Sequence, residues 1–437
     1  MTQYVGQPLP RYGGEGQVTG RTRYVDDIVV PGMLYLKLLR SPVHRGVLRE
    51  LDLSAVKATP GVAGVVTAAD IPGTNMHGFS GDQPVFNTEH IRYKGEPLAA
   101  VVAVDEDTCM EALEKAVLDI EEQEPIFDPF QALEPGAPLV RPGTSHNLME
   151  FAPGVTTRVF KCGDAEKALA AAEYVVEDNF VHGYQDHGPI EPHVSLAYLD
   201  AADQLVIHTH SQMPYFHLRF LQPVLNLPMS RIRYLAGTVG GGFGGKNDIH
   251  ADQYAALAAL KFHKPVKFRW TKREDLLYST KRGGWGFEYK TGVSRDGRIV
   301  ARHIKQLQDS GAYGGLSAYA VEKCAMFAAG GYNIPNILVE SQVVYTNKPV
   351  ASSMRGFGLM NGQTCVEVHM NHIAETIGMD PWELRFVNAW RDGDKGVTQY
   401  VIQGAGGLEA MKKLAELAGV QLPAHLLAMS SRGRYER

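Results

Sequence analysis

Residues 239–247 of this 437-residue chain are Val-Gly-Gly-Gly-Phe-Gly-Gly-Lys-Asn, so five of the six residues from Gly240 to Gly245 are glycine. Glycine carries no β-carbon, and this backbone is therefore able to approach a ligand closely and to adopt positive φ. Successive N–H groups in such a segment line a concavity that suits an anion or an oxo group. A tight turn between a strand and a helix is the alternative interpretation.

The flanking residues predict a strand before this glycine-rich loop and a helix after it. Residues 231–238 have strand character, and residues 250–261 have helical spacing. Together with Lys246, this context matches a phosphate-binding P-loop up to its last position. However, Asn247 replaces the Ser or Thr that would bind magnesium, no later strand ends in the required Asp, and Phe243 is bulky for a phosphate cradle. A nucleotide-binding protein is therefore a disfavoured alternative.

The rest of the chain mixes strand and helix patterns without a regular alternating series, which predicts an α+β fold class. Asp105 is placed to cap a helix that runs to about Ala116. Asp296-Gly297 predicts the turn of a hairpin over residues 287–307. Apolar runs predict strands at 32–40, 98–104 and 205–210, and helical spacing predicts helices from Pro214 to before Pro228, at 365–378 and at 408–418.

Prolines mark the predicted domain boundary. Residues 121–142 contain five prolines, which is typical of a connection between domains. We therefore predict a first domain at residues 1–130, a linker at 131–150 and a second domain at 151–437. The polar tail Ser-Ser-Arg-Gly-Arg-Tyr-Glu-Arg at residues 430–437 is expected to fray.

Composition and charge disfavour several classes of protein. The net charge of −5 gives no basic footprint for nucleic acid. No apolar run approaches the roughly 18–20 residues of a membrane span, and the first ten residues lack the basic start and apolar stretch of a secretory signal. The cysteines are far apart, so iron–sulfur and structural zinc sites are not expected and a reducing, cytoplasmic setting is favoured: Cys109, Cys162, Cys324 and Cys365.

The glycine-rich loop is one of several segments that resemble the xanthine dehydrogenase/aldehyde oxidase family of molybdenum hydroxylases. The loop is similar to that family's Gly-Gly-Gly-Phe-Gly-Gly-Lys signature, and further similar segments follow in the family's order. One motif would be weak evidence, but many in one order indicate membership over about residues 10–420. The other segments lie at residues 20–27, 40–44, 92–103, 191–193, 211–212, 332–336, 354–358 and 378–381.

This resemblance implies an N-terminal α/β hammerhead domain followed by the family's first molybdenum-cofactor-binding domain. Such enzymes hold molybdenum on a pterin and hydroxylate an electron-poor carbon with oxygen from water, while the protein orients the reactants and excludes side reactions. The resemblance also implies the cytosine dinucleotide form of molybdopterin, which prokaryotic relatives commonly use. Fe-S clusters and FAD would be held only by partner subunits.

The resemblance assigns catalytic roles to Gln212 and Arg355. Gln212 would donate its side-chain amide to the apical oxo ligand without bringing a charge, and Arg355 would offer its backbone N–H to the cofactor. Gly242, Phe243 and Gly244 complete the predicted cofactor-binding set. Gln212, Phe243 and Arg355 would surround the molybdenum without necessarily being direct ligands. The alternatives are a turn-capping Gln212, Phe243 as a core anchor, and Arg355 in an ordinary turn.

Phe357, Lys323 and Asn247 are the candidate substrate-binding residues. Phe357 would present an aromatic face to a planar substrate. In the family's purine oxidisers a glutamate follows the loop lysine and an arginine precedes the Tyr-x-Ile-Pro-Asn segment, whereas this chain has Asn247 and Lys323 there. The lost carboxylate disfavours purines, and the point charge of Lys323 suits a single carboxylate oxygen. A surface ion pair is the alternative role for Lys323.

Several histidines and Glu96 receive weaker interpretations. Strand alternation puts His208 and His210 on one face, as in a metal-binding pair, but no third ligand at useful spacing supports a site. We therefore favour structural roles for them and for His187 and His193. Glu96 lies in the first domain, where the family does not place its catalytic base.

Nothing after Phe357 resembles the family's catalytic Gly-x-Gly-Glu segment or its second cofactor domain. The resemblance is strongest to the nicotinate dehydrogenases, which split the molybdenum portion between two chains, and the polar tail is expected to be a natural terminus. We therefore predict the molybdopterin-binding subunit of a multi-subunit hydroxylase that acts on a nicotinate-like substrate and is inactive alone. The predicted partners are a second molybdopterin subunit carrying the catalytic Glu, a [2Fe-2S] subunit, an FAD subunit and a small N-heteroaromatic substrate, with no nucleic acid and no membrane.

Other functions are less favoured. Within the family, the alternatives are a xanthine/purine dehydrogenase subunit and a dehydroxylating aryl-CoA reductase subunit. A carbon monoxide dehydrogenase is disfavoured because the cysteine-bearing loop of that group is absent around Met354-Arg355. Outside the family, the alternatives are the P-loop-like nucleotide-binding protein and a non-catalytic subunit that serves as a scaffold.

Overall fold

The computed structural model describes Tyr4 and residues 6–431, so most of the tail predicted to fray lies outside the described residues. The strands are, in chain order, β1 (Leu34–Arg40), β2 (Gly46–Asp52), β3 (Val62–Val66), β4 (Met76–His77), β5 (Gln83–Pro84), β6 (His90–Ile91), β7 (Pro97–Ala103), β8 (Val117–Glu122), β9 (Arg158–Cys162), β10 (Tyr174–His182), β11 (Val194–Leu199), β12 (Leu205–Thr209), β13 (Ile232–Ala236), β14 (Val266–Arg269), β15 (Trp285–Val293), β16 (Ile299–Gly311) and β17 (Ile337–Tyr345). The helices are α1 (Gly14–Val18), α2 (Ser54–Lys57), α3 (Glu106–Leu113), α4 (Ala165–Ala170), α5 (Pro214–Leu225), α6 (Asp252–Phe262), α7 (Lys272–Tyr278), α8 (Ser317–Met326), α9 (Leu359–Ile377), α10 (Pro381–Asn388), α11 (Gly407–Leu417) and α12 (Ala424–Leu427). This mixture of helices and sheets is the predicted α+β class.

Contacts divide the chain into two compact units, each built from two separate segments. The first unit is Met1–Glu124 with Asp186–Thr280, and the second is Pro125–Gln185 with Lys281–Arg437. The chain therefore passes between units near the predicted boundary at residue 130, and again at two later points that the sequence pattern does not mark.

The stretch at residues 131–150, which its prolines suggested to be a linker, packs as part of the second unit. Ala132, Val140 and Met149 are buried in the hydrophobic core of that unit. Asn147 binds this stretch internally, because its side chain accepts from the backbone N–H of Val140 and donates to two backbone carbonyls. The prolines of this stretch are exposed, but its buried residues attach it to the second unit.

The first unit is built on a seven-stranded sheet in the order β13-β12-β11-β14-β1-β7-β3. β1 pairs in parallel with β14, so that Leu34 lies beside Val266, and it pairs antiparallel with β7. Helix α6 packs against this sheet with nearly all of its residues buried, Asp252 and Gln253 included. β12 and β13 are parallel neighbours, and their carboxyl ends therefore meet at the same edge of the sheet. This pairing brings the segment after β12 close to the glycine-rich loop after β13.

The second unit is built on a five-stranded sheet in the order β10-β15-β16-β17-β9. β15 and β16 form the hairpin that the sequence predicted, and Gly297 in its turn has φ +78°. Helices α8 and α9 pack against each other and against the sheet, where their apolar residues join the core. The loop at residues 354–358 leads directly into α9.

Two helix boundaries differ from the predictions for identifiable reasons. Asp105 caps α3 as predicted by accepting from the N–H of Thr108, but the helix ends at Leu113, and β8 begins at Val117 after a three-residue turn. α9 begins at Leu359, six residues before the predicted start, although Gly362 lowers the helix propensity there. A β-carbon at Gly362 would lie 2.7 Å from the Sγ of Cys324, so glycine permits the close packing of α9 on α8.

Among the described residues, no helix is both long enough and apolar enough to cross a membrane. The cysteines are free thiols: Cys109, Cys324 and Cys365 are buried, and Cys162 is partly exposed.

Candidate functional site

The glycine-rich loop of the first unit has the backbone conformations that its composition predicts. Gly241 and Gly244 have φ of +100° and +99°, which only glycine adopts readily. Phe243 lies between them with φ +52° and an exposed side chain. A bulky residue in this region is strained, and such strain persists where the surrounding structure imposes it, often at functional sites. The exposed ring also shows that Phe243 is not a core anchor.

Gln212 is held against this loop by its side-chain oxygen. Its Oε1 accepts from the N–H of Gly244 at 3.0 Å and from the N–H of Lys246 at 3.3 Å. A β-carbon at Gly242 would lie 2.4 Å from the same oxygen, so any other residue at this position would displace the side chain of Gln212. Because two donors face Oε1, the amide nitrogen is fixed on the opposite side, where the described residues offer it no acceptor.

The loop also presents unpaired backbone donors. The N–H groups of Gly241, Gly242 and Phe243 make no hydrogen bond to the part of the chain that the structure describes. Three successive donors beside the unpaired amide of Gln212 suit an oxygen-rich or anionic group. The residues present therefore fit the oxo and phosphate groups of a molybdenum–pterin cofactor.

Two histidines on the buried side of the loop bind two of its carbonyl groups. The Nε2 of His193 lies 3.2 Å from the carbonyl oxygen of Gly245, and the Nε2 of His217 lies 2.9 Å from that of Asn247. The Nδ1 of His193 lies 2.5 Å from a carboxylate oxygen of Asp275, and that of His217 lies 2.9 Å from Asp252. All four of these side chains are buried.

A buried ion pair anchors the start and the end of the loop. The Nζ of Lys246 lies 2.6 Å from the Oε2 of Glu191, which also accepts from the N–H of Gly240 at 2.7 Å. Burial lowers the pKa of Lys246, while the hydrogen bond and the charge of Glu191 oppose that effect. Lys246 is only 1% exposed, so it does not reach out to a phosphate as a P-loop lysine does. Helix α6 also begins only at Asp252, which is too late for a P-loop.

In the second unit, the loop at residues 354–358 repeats the combination of glycine and strained phenylalanine. Phe357 has φ +31°, between Gly356 at +91° and Gly358 at +85°. A β-carbon at Gly358 would lie 2.3 Å from the carbonyl oxygen of Ala320, so the loop lies directly on α8. The ring of Phe357 is partly buried and packs against the core of this unit.

Arg282 supports this second loop from a nearly buried position. Its guanidinium donates to the carbonyl of Arg355 at 2.7 Å and lies close to the sulfur of Met354 and the side-chain oxygen of Asn361. Burial lowers the pKa of Arg282. The side chain of Arg355 is exposed, and its N–H has no partner among the described residues. Arg355 is therefore available to a ligand through both groups.

Lys323 lies in the last turn of α8 with an exposed side chain. In the described part of the chain, Lys323 makes no ion pair. The neighbouring Glu322 pairs with Arg158. Ala320, which the Gly358 backbone contacts, precedes Lys323 by about one helical turn. In the second unit, the loop that contains Arg355 and Phe357 thus lies on the helix that carries Lys323. In the first unit, Gln212 contacts residues 242–244, and the N–H of Asn247 donates to the carbonyl of Gly244.

The remaining sequence candidates do not form a further site. His208 lies 3.3 Å from the hydroxyl of Tyr198, and His210 is buried with its Nδ1 3.7 Å from Glu191, which is too far for a hydrogen bond. Burial lowers the pKa of His210 well below its usual range. Glu96 is buried and accepts from the N–H of Arg92. The described residues include no cluster of three or more His, Cys, Asp or Glu side chains arranged to hold a metal ion.

Sequence reasoning missed the two His–Asp pairs and the Glu191–Lys246 pair. Each of these pairs joins residues that are 35 to 82 positions apart in the sequence, so no local sequence motif indicates the pair. Strand alternation predicted only that His208 and His210 share one face, and neither histidine belongs to these pairs.

Two family models match the chain. The model described as "Molybdopterin cofactor-binding domain" matches residues 148–389. The model described as "Aldehyde oxidase and xanthine dehydrogenase, a/b hammerhead domain" matches residues 19–124. The order of the two matches is the predicted one.

Individual relatives agree with these models. The chain is 32% identical to the nicotinate dehydrogenase large molybdopterin subunit of Eubacterium barkeri, over 95% of this chain and 96% of that subunit. It is 34% identical to a probable xanthine dehydrogenase subunit of Bacillus subtilis, over 91% of this chain but 52% of that protein. It is similar to the solved aldehyde oxidoreductase of Desulfovibrio gigas with a TM-score of 0.88 and 29% identity, covering 94% of this chain and 46% of that one.

The chain therefore spans nearly the whole of one relative and about half of two others. The relatives are dehydrogenases and oxidoreductases, and the shared segments include both loops described above. The chain belongs to the xanthine dehydrogenase/aldehyde oxidase family of molybdenum enzymes, as a molybdopterin-binding chain in which a hammerhead domain precedes the first cofactor-binding domain.

Proposed function

We propose that this chain is the molybdopterin-binding subunit of a hydroxylase that acts on a carboxylated N-heteroaromatic ring such as nicotinate. The single observation that carries the proposal is the state of Gln212, whose oxygen is bound by the loop and whose amide nitrogen has no acceptor in the described chain. Such an amide is suited to donate to an oxo group. The likeness to a nicotinate dehydrogenase subunit over almost its whole length supports the substrate class.

The bound cofactor would supply the centre that oxidises an electron-poor carbon, with water as the oxygen source. The roles of this chain would be to bind and orient. Gln212 would donate its amide N–H, and Gly242, Phe243 and Gly244 would provide backbone contacts to the cofactor. Arg355 would donate its backbone N–H from the loop that Arg282 supports.

Lys323 and Phe357 would bind the substrate. Lys323 is an exposed cation without an ion-pair partner in the described chain, which suits a single carboxylate oxygen. Phe357 would contact the flat face of the ring, which adds about 0.5–1.5 kcal/mol in typical aromatic pairs. Asn247 would stand where purine oxidisers carry a glutamate, and it would therefore not handle a purine ring N–H.

Partner chains would complete the enzyme. We propose a second molybdopterin subunit that carries the catalytic Glu, together with [2Fe-2S] and FAD subunits that accept the electrons. The cofactor would be the cytosine dinucleotide form, and the complex would be cytoplasmic, in keeping with four free thiols. On this view, the chain expressed by itself does not turn over substrate.

A charge-deletion experiment tests the substrate class. Lys323→Met in the molybdenum-loaded complex is expected to raise KM for nicotinate by about 10- to 100-fold, as expected for loss of a charged hydrogen bond. The change in KM for nicotinamide should be much smaller, because the amide carries no charge. Steady-state kinetics on both compounds, normalised to molybdenum content, measure the difference.

Lys305→Met is the matched control, because Lys305 is an exposed lysine of the same unit that pairs with Glu288. It should leave both Michaelis constants unchanged. Equal effects of Lys323→Met on the acid and the amide would refute the carboxylate contact. Purified protein without molybdenum would refute the proposed function altogether.

A further inference from the structure

One peptide unit of the glycine-rich loop is bound at both of its ends. The carbonyl of Gly245 faces the Nε2 of His193, and the N–H of Lys246, which belongs to the same peptide unit, donates to the Oε1 of Gln212. A peptide unit is planar and rigid, and in the trans form its C=O and N–H point in opposite directions. The orientation that His193 imposes on the carbonyl therefore sets the direction of the N–H that holds Gln212.

Gln212 makes a second hydrogen bond to Lys246. Its backbone N–H donates to the carbonyl of Lys246 at 3.0 Å, so Lys246 contacts both the backbone and the side chain of Gln212. The N–H of Gly244 provides the other bond to the side-chain oxygen. Any rotation of the Gly245–Lys246 peptide would consequently shift Gln212 as well.

The ring of His193 has a hydrogen-bond partner at each of its two nitrogens. A carbonyl oxygen only accepts, so Nε2 must carry a proton toward Gly245. On the other side of the ring, Nδ1 lies 2.5 Å from a carboxylate oxygen of Asp275. Burial alone would raise the pKa of Asp275, but the hydrogen bonds and charges of His193 and Lys272 together outweigh burial and lower it. Asp275 is therefore an ionised acceptor, and hydrogen bonds to an ionised acceptor are stronger than neutral ones.

The surroundings leave this pair little freedom. The side chains of His193 and Asp275 are 5% and 1% exposed. The ring of His193 packs against His250 and Trp270, with centroid distances of 4.4 Å and 5.1 Å. Lys272 lies 3.1 Å from the other oxygen of Asp275 and fixes that carboxylate in turn. A buried His–Asp pair of this kind adds little stability compared with apolar packing, so its contact with the Gly245 carbonyl favours a role in geometry.

We propose that His193, supported by Asp275, is a positioning residue that orients the side-chain amide of Gln212 through the peptide unit joining Gly245 and Lys246. This inference rests on the proposed function, because it gives Gln212 its donor role toward the cofactor. His217 and Asp252 hold a carbonyl two residues further along, that of Asn247, which is not part of a peptide that donates to Gln212.

The first arm of the test needs no cofactor. Hydrogen exchange of residues 240–248 in the full chain, followed by mass spectrometry, should accelerate about 10- to 100-fold in His193→Gln, as expected when a buried carbonyl loses its hydrogen-bond partner. Asp275→Asn should act in the same direction while keeping the ring in place. His208→Gln is the matched control, because His208 bonds to Tyr198 and not to the loop. Wild-type exchange in both His193→Gln and Asp275→Asn would overturn the proposal.

The second arm uses the molybdenum-loaded protein. The molybdenum–oxo stretching frequency, measured by resonance Raman spectroscopy, should shift in the same direction in His193→Gln as in Gln212→Ala. The double variant should shift no further than Gln212→Ala alone, since both changes remove one interaction. A shift in Gln212→Ala with none in His193→Gln would overturn the positioning role and leave the proposed function intact. If Gln212→Ala itself caused no shift, the donor role of Gln212 would fall, and the inference with it.

Discussion

Gln212→Ala in the molybdenum-loaded complex is expected to lower kcat by about 10²- to 10³-fold, which is the usual effect of removing one preorganised donor from a catalytic site. The reason is geometric, since the loop N–H groups of Gly244 and Lys246 fix the amide so that its nitrogen faces away from them. Alanine would remove that donor and the acceptor for both N–H groups. Initial rates at saturating substrate, divided by the molybdenum content, measure the effect.

Gln212→Glu separates the two consequences of that change. A carboxylate still accepts from the loop, so hydrogen exchange of residues 240–248 should stay near the wild-type rate, yet it cannot donate and kcat should fall as in the alanine variant. Gln204→Ala is the control, because Gln204 is a glutamine of the same unit whose amide donates to Ser230. A Gln212→Ala complex with full turnover would instead favour a non-catalytic scaffold.

Lys246→Met is expected to destabilise the first unit by about 3–5 kcal/mol, the usual cost of leaving one partner of a buried ion pair unpaired. The side chain of Lys246 is 1% exposed and that of Glu191 is 10% exposed. Little water therefore reaches the Glu191 carboxylate, which the substitution leaves without its cation. The N–H of Gly240 would remain as a partner of Glu191, but no cation would replace the lysine. Urea unfolding followed by fluorescence gives the free energy of unfolding.

The control for this change is Lys290→Met in the second unit. Lys290 lies 2.7 Å from Glu177, but the two side chains are 47% and 63% exposed, so the loss should stay within about 1 kcal/mol. The double variant Glu191→Gln/Lys246→Met should be more stable than Lys246→Met alone, since it removes the stranded charge. Equal losses in Lys246→Met and Lys290→Met would show that the buried pair does not anchor the loop.

Local patterns predicted the parts of the fold that depend on neighbouring residues. The hairpin over residues 287–307 follows from its two-residue turn signal, and the start of α3 follows from the capping side chain of Asp105. The glycine-rich loop was identified because glycine is required where φ is positive, as at Gly241 and Gly244. In each case the physical cause lies within a few residues of its effect.

The pairings between distant segments could not be predicted in this way. Leu34 pairs with Val266, although nothing in either strand specifies the other, and this parallel pairing joins the two segments of the first unit into one sheet. The stretch at 131–150 looked like a linker because proline content reports on local conformation and not on burial. Tertiary packing decides whether such a stretch is buried, and here it buries Val140 and Met149.

The same limit applies to the candidate site. Sequence resemblance identified Gln212 and the glycine-rich loop, but it did not identify the buried residues that bind the loop from beneath. His193 meets Asp275 across 82 positions of sequence, and the contact becomes visible only when the sheet is formed. Phe243 and Phe357 show a related effect, because their positive φ is imposed by tertiary structure against the preference of the residue.

The proposed function requires that Gln212 donates to the molybdenum cofactor, and a structure of the loaded complex by cryo-electron microscopy tests this contact. We predict the side-chain nitrogen of Gln212 at about 2.7–3.2 Å from an oxygen on the molybdenum, with its Oε1 still bound by the N–H groups of Gly244 and Lys246. A pterin-bound molybdenum whose oxygen ligands all lie beyond about 4 Å from that nitrogen would contradict the claim.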